Sequence, residues 1–304
     1  MMGPSRVRRM LKRVVPAAVV STVRLQRARL LVERALKTAP ATPAWLEYDD
    51  LKILVQNYGF PAPYGYDPES LARRGVVRSA EILRLPGSGS FERTMELGCG
   101  DGMVSAMLAQ TGRQTIAVDI SDERFDARAR EAGVDFRISD ASRLPVDSGS
   151  IDCVFSYNAF EHVADPAMTL AEMARVTRPG GIVFMRFGPL YWSAFGEHAY
   201  RSLPIPYCQC LFRLETINRY CRETGYQEID PGHVNRWSLR QYRDVWSRAE
   251  TSLERVRYAE LSSAGHIDLI QRYSSCFKRR STFALDFLID EIDVVFRRRA
   301  RVHQ

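Results

Sequence analysis

The chain has 304 residues, 45% hydrophobic and 26% charged, enough for one large α/β domain with additions or for two small domains. Its six scattered cysteines do not make a secreted disulfide framework and point to a reducing, cytoplasmic compartment; no apolar run is long enough to span a bilayer, the best being residues 14–20 with Pro16 inside it. The net charge of +7 belongs to one end: Arg6, Arg8, Arg9, Lys12, Arg13, Arg24, Arg27 and Arg29 lie in residues 1–32 with no acid among them, and the rest of the chain sets 35 basic side chains against 36 acidic ones.

In chain order, residues 1–39 read as mainly helical. The basic stretch 1–32 has three readings. It is a solvated arm, or a peripheral contact with anionic lipid, since Val7, Leu11, Val14 and Val15 fall near helical spacing among the arginines. The third is a cleaved leader, against which stand a short apolar part and the lack of a small-residue cleavage site. Pro40 and Pro43 end the helical pattern, residues 58–70 are rich in turn formers and aromatics, a helix is predicted over 69–85, and "PGSGS" at 86–90 is a linker. Short apolar strands then alternate with amphipathic helices: strands at 93–97, 114–120, 134–139, 151–157 and 181–187, helices near 103–111, 122–132 and 166–178. Such alternation predicts a parallel sheet with helices on both faces and right-handed crossovers. Beyond 188 an aromatic, proline-bearing stretch has the character of a lid or pocket wall. A helix at 238–249 and strands at 253–261 and 292–299 follow, the last two as an antiparallel pair closing the sheet.

The segment "ELGCGDG" places Gly98, Gly100 and Gly102 where the first strand turns into a helix. Glycine there allows positive φ and the approach of a ligand without a Cβ, and helix N-terminal amides favour negative charge. In an open α/β sheet the carboxyl end of the first strand borders the nucleotide crevice. Glu96 ends the first strand and Asp119 the second, where a carboxylate can accept both hydroxyls of a ribose. Asp140 and Ala141 end the third, in place for an adenine amino group, and Asn158 follows the fourth, facing the same crevice.

Together with "AVDIS", "ISDASRLPVDSGSIDCVFSYNAFEHVADP" and "RVTRPGGIVFM", this segment resembles the class I S-adenosylmethionine-dependent methyltransferases, in particular the type 11 methyltransferase domain family, over residues 94–185. The resemblance implies a Rossmann-like α/β fold with a mostly parallel seven-stranded sheet, here with an N-terminal helical extension. It implies S-adenosyl-L-methionine as cofactor and S-adenosyl-L-homocysteine as product. The cofactor-binding residues it implies are Glu96, Gly98, Cys99, Gly100, Gly102, Asp119, Ile120, Asp140, Ala141 and Asn158. The glycines would pack under the methionine part, Asp119 would bind the ribose, Asp140 with Ala141 would frame the adenine, and Cys99 would lend its backbone, not its thiol. A nicotinamide dehydrogenase, the rival for such a turn, spaces its glycines Gly-x-Gly-x-x-Gly; here the third arrives one residue early and an acid precedes the first.

Methyl transfer from a sulfonium asks mainly for alignment and desolvation, and a hydroxyl acceptor benefits from a base. Two pairs are candidates. Glu161 and His162, just past the fourth strand, either orient their loop or supply that base; Glu197 and His198, in the aromatic stretch, offer a base or substrate contact, or loop packing. The second pair resembles a Gly-His-His stretch of some type 11 relatives, with Glu197 replacing the first histidine, which puts a two-histidine metal site in doubt. Cys208, Cys210 and Cys221 beside His198 lack the usual knuckle spacing, so no metal is expected.

No Asn/Asp-Pro-Pro-aromatic or Pro-Cys motif follows the fourth strand, and the body of the chain lacks a basic footprint, so no nucleic-acid partner is expected. A small-molecule, sugar or lipid-linked acceptor, methylated on oxygen, fits better, with Tyr191, Trp192, Phe195 and Tyr200 placed either to stack on a ring or to pack a core. The expected organisation is a basic segment and helical extension over 1–89 and a methyltransferase domain over 90–304, with an aromatic insertion at about 188–235. The alternative is a catalytically silent protein that keeps the cofactor site and serves as a regulatory or scaffold partner.

Overall fold

The structure is a computed structural model and describes residues 17–62 and 65–300, with side chains from residue 22 onward. The stretch carrying Val7, Leu11, Val14 and Val15, on which the lipid reading rests, lies outside the described residues. Helices α1 (Ala17–Thr38) and α2 (Tyr48–Val55) come first, then α3 (Pro68–Ile82). Asp67 caps α3 by accepting from the Ser70 amide at 2.9 Å, and Pro68 occupies its first turn.

The alternating part follows as β1 (Arg93–Leu97), α4 (Met103–Ala109), β2 (Gln114–Asp119), α5 (Ala127–Glu131), β3 (Asp135–Ile138), β4 (Ile151–Tyr157), α6 (Pro166–Val176) and β5 (Thr177–Phe187). Then come α7 (Cys208–Leu211), α8 (Leu214–Thr224), α9 (Leu239–Ala249), β6 (Leu253–Ser262), α10 (Ile267–Arg272), α11 (Ser274–Lys278), α12 (Ala284–Leu288) and β7 (Ile289–Arg298).

The strands form one seven-stranded sheet in the order β3-β2-β1-β4-β5-β7-β6. The first five run parallel, β7 lies antiparallel to β5, and β6 antiparallel to β7. β1 and β4 are buried on both faces, as helices on either side require, and they read as near-continuous apolar runs for that reason. The edges are different. β3 has four residues, and β6 carries Glu254, Arg255, Arg257 and Glu260, charges that keep an exposed edge from pairing with another chain.

Several predicted helices end short of their periodicity, and for two of them the cause is local. The helix expected over 122–132 forms only at Ala127–Glu131, because Asp126 caps it through the Arg128 amide at 2.9 Å while its own amide bonds Asp101 O at 3.0 Å. Residues 120–126 are thereby held as a loop beside the glycine turn. The helix expected to 178 stops at Val176: Thr177 pairs with Ile151 and opens β5 early, and a register shift between Ile151 and Cys153 absorbs the residues around Gly180.

Two packing layers matter for the site. Ile82, Leu85 and Phe91 seat α3 and the following turn on Val104, Leu108 and the β4–β5 face of the sheet. A second core joins Ala28, Val32, Leu36, Leu51 and Leu54 of the first two helices to buried residues between Ala194 and Ile229 and between Leu269 and Leu288. The N-terminal helices and the aromatic stretch are one packed body. Among the described residues no helix is long and apolar enough to cross a membrane.

Candidate active site

The strand order reverses at β1, which lies between β2 and β4. In such a sheet the crevice outside the carboxyl ends at that reversal is where ligands bind, and "GCGDG" lies there. All three glycines have positive φ, 70°, 53° and 72° in order, yet their surroundings differ. A Cβ on Gly98 would overlap the Cβ of Ala159, and one on Gly102 would overlap the ring of Phe125. A Cβ on Gly100 would meet nothing nearer than the Arg124 guanidinium at 3.9 Å. Gly98 and Gly102 are therefore glycine because protein packs against them. Gly100 faces open space, and it alone is bare for a ligand.

Asp119, at the end of β2, accepts from the Gly100 amide at 2.7 Å through one oxygen and from the Ile120 amide at 2.7 Å through the other. Each carboxylate oxygen keeps a second acceptor site. Glu96 has a buried role under the turn: its carboxyl accepts from the Ser105 amide at 3.1 Å and hydroxyl at 2.7 Å, tying β1 to α4. Burial raises its pKa to about 8, so it is a neutral acid at pH 7. The Cys99 thiol is buried and pushed far up by that burial, leaving its backbone as its contribution.

On the far side of Asp119, Ile120 and Ile138 are 72% and 65% exposed, large for apolar side chains. Ile138 is the register partner of Asp119 across β2 and β3, so the two isoleucines flank that carboxylate. Asp140 accepts from the Ser142 amide and hydroxyl at 2.9 and 2.6 Å, which turns the chain over the buried Ala141. Ala141, Asn158 and His198 have φ of 68°, 49° and 56°, left-handed conformations that non-glycine residues rarely adopt and that cluster at functional sites.

The other side of the crevice is assembled from three distant segments. His162 follows β4, His198 lies in the aromatic stretch and His233 in a turn before α9. Their ring centroids are 4.8 Å (His162–His198), 4.8 Å (His162–His233) and 5.8 Å (His198–His233) apart. Asn235 fixes this meeting: its amide bonds Glu161 O at 2.9 Å and its side chain bonds Phe160 O at 3.0 Å, strapping the 233–235 turn to the loop after β4. His162 Nδ1 donates to His233 O at 2.6 Å and His198 Nε2 to Pro189 O at 3.1 Å. Those carbonyls choose the tautomers and leave a lone pair on the other nitrogen of each ring.

Burial lowers the pKa of both imidazoles, that of His198 to about 3 with His162 as the second cause, so both are neutral. Glu161 lies beneath them, one carboxyl oxygen 3.9 Å from His162 Nε2 and accepting from the Gly188 amide at 3.3 Å, the other buried without a partner. Burial raises its pKa to about 8.

The structure thus gathers His162 and His198, as two of the predicted catalytic residues, with Glu161. Glu197 is buried with Tyr191 and Arg236 as its polar neighbours, outside the histidine group. Cys208, Cys210 and Cys221 are buried in the second core and belong to no group of metal-ligating side chains among the described residues. Trp192 and Phe195 pack against that same core, and Tyr200 lies 5.5 Å from the His198 ring. Sequence reasoning missed His233 and Arg124. "DPGHVN" marks only a turn, and Arg124 falls in a stretch whose periodicity reads as helix.

Residues 95–185 match the family model described as a methyltransferase domain. An uncharacterized 37.1 kDa protein in transposon TN4556 of Streptomyces fradiae is 34% identical over 182 residues, 55% of this chain. The chain spans about half of that relative, 47% of its length. A malonyl-[acyl-carrier protein] O-methyltransferase of Serratia marcescens is 25% identical over 236 residues, 73% of this chain and 87% of the relative. A ubiquinone biosynthesis O-methyltransferase of Aromatoleum aromaticum is 31% identical over 154 residues, 46% and 65%. Among solved structures, an S-adenosylmethionine-dependent methyltransferase from Mesorhizobium loti aligns at 21% identity with a TM-score of 0.46, covering 77% of this chain and 100% of that one.

Proposed function

We propose, for a chain that belongs to the class I S-adenosylmethionine-dependent methyltransferases, that it methylates a hydroxyl on a small-molecule, sugar or lipid-linked acceptor. The crevice fits the cofactor. Gly100 is the one bare position of the turn, so the amino-acid tail lies there. Asp119 has acceptor capacity left for a ribose diol, and exposed Ile120 and Ile138 offer apolar faces to an adenine beside Asp140 and Ala141. When bound, S-adenosylmethionine supplies a methyl group already activated by the adjacent sulfonium charge.

The residues of the chain then hold the acceptor and take its proton. The observation that carries the hydroxyl reading is the pair of neutral imidazoles fixed by backbone carbonyls at the crevice. His162 is the base. With Nδ1–H anchored on the His233 carbonyl, its Nε2 lone pair is free for the acceptor proton, and that carbonyl stabilises the cation that forms. His198, with its pKa pushed to about 3, is too weak a base for that step and serves as a polar wall. Two relatives carry O-methyltransferase names, which supports oxygen as the methylated atom.

The test is a coupled assay for S-adenosylhomocysteine release against phenols, catechols, sugars and lipid-linked hydroxyls. Turnover with a hydroxyl acceptor, and none with its deoxy analogue, is the expected result. Silence across the panel from protein that binds the cofactor would favour the binding-only alternative.

A further inference from the structure

Three of the five histidines in the chain converge at one point although 36 and 35 residues separate them in sequence. One ring nitrogen from each lies within 4.8 Å of one from each of the others. Histidines brought together this closely have, besides packing and proton transfer, one ordinary chemical use, the binding of a metal ion. Metal-ligating histidines commonly donate their second ring N–H to a carbonyl, which fixes the tautomer and aims the remaining lone pair. His162 and His198 both do so, to His233 O and Pro189 O. Beneath them, one carboxyl oxygen of Glu161 lies 3.9 Å from His162 Nε2, and the other is buried without a hydrogen-bond partner.

We infer that His162, His198 and His233 form a binding site for a late first-row divalent cation of the Zn2+ class on the acceptor side of the crevice. Three imidazoles suit such ions, and a three-histidine set leaves a fourth position open, the arrangement of catalytic rather than structural sites. Nitrogens about 2.1 Å from a tetrahedral ion lie roughly 3.4 Å apart, so the group must draw in by about an ångström. The His233 side chain has the most room for that contraction, because it is exposed while the other two rings are half-buried.

The inference rests on the methyltransferase reading only for what occupies the fourth position, an acceptor oxygen. There the ion would lower the pKa of the hydroxyl; with its lone pair held by the metal, His162 would give up the base role it has in the metal-free protein, and the proton would leave to water.

The experiment is calorimetric titration of the full-length, chelator-treated protein with Zn2+, repeated with Co2+ to record its visible d–d bands, for wild type, His233→Ala and His198→Ala. One equivalent bound, tetrahedral-type cobalt bands, and at least a roughly tenfold weaker Zn2+ affinity in each variant are expected. His233→Ala removes an exposed side chain, and undiminished S-adenosylhomocysteine binding by that variant shows that it folds. No Zn2+ binding by wild type, or equal binding by His233→Ala, overturns the metal site. Chelator-resistant turnover with no bound metal would overturn it too, while leaving the methyltransferase reading intact.

Discussion

The two sides of the crevice are built by opposite means. The side proposed for the cofactor comes, Asn158 apart, from one continuous stretch, 94–141, in which the ends of the first three strands each contribute a residue. The side proposed for the acceptor takes His162, His198 and His233 from three segments and holds them by Asn235, Glu161 and two carbonyls. A ligand common to a whole fold is met by local geometry that the chain carries in sequence order. An acceptor peculiar to one protein is met by a long-range assembly.

If the division is real, damage on the two sides has different signatures. The largest effect belongs to His162→Ala, which should lower kcat by about 100- to 10,000-fold, the range of a lost general base, and leave cofactor affinity within threefold. An equal loss in affinity would show that the two sides are not separable.

Within the cofactor side, Gly102→Ala and Gly100→Ala should part company. The first drives a Cβ into Phe125 at a left-handed φ and should destabilise the fold by about 2–4 kcal/mol in denaturant melts. The second carries only the backbone strain, about 1–2 kcal/mol, but should weaken S-adenosylhomocysteine binding at least tenfold, because its Cβ enters the open space. Equal effects on stability and binding from both would mean that the open position has been misassigned.

A graded effect is the pH dependence of Glu96. Its pKa is near 8 in the fold against 4.5 when unfolded, so between those values the native state holds a proton that the unfolded chain has released. Stability therefore falls as pH rises through that window, by at most about 1.4 kcal/mol per pH unit, and the loss is complete above it. Glu96→Gln should flatten that slope, with melting temperatures that converge near pH 4.5 and separate toward pH 8, the variant being the more stable. Parallel curves would place the titration elsewhere.

The smallest effect concerns the basic arm. Ala28 and Val32 are buried in the second core, so a deletion of 1–32 would damage packing and confuse the test. Removing residues 1–16 alone should leave cofactor affinity unchanged; if the arm meets anionic lipid, co-sedimentation with phosphatidylserine vesicles should drop. Equal sedimentation of both forms would exclude the lipid contact.

The same contrast explains what could be read in advance. The sheet was legible because buried parallel strands are short apolar runs, and "ELGCGDG" with Asp119 was legible because its geometry is contiguous. The loop 120–126 was not, since its periodicity is helical and only the bond from the Asp126 amide to Asp101 O shows that it turns early. Gly98 and Gly102 could be recognised as glycines under a turn, but that Ala159 and Phe125 demand them is a tertiary fact. The role of Glu197 beside Tyr191 and Arg236, and the approach of His233, depend on how the insertion docks, and no spacing in the chain records that.

The most direct test of the central claim is calorimetric titration of S-adenosylhomocysteine into the full-length protein and into Asp119→Ala. The account predicts one site in the wild type and at least a roughly 100-fold weaker affinity in the variant, the loss expected when two charge-assisted hydrogen bonds go together. No heat from well-folded wild type, or an affinity in the variant within threefold of it, would contradict the assignment of the crevice.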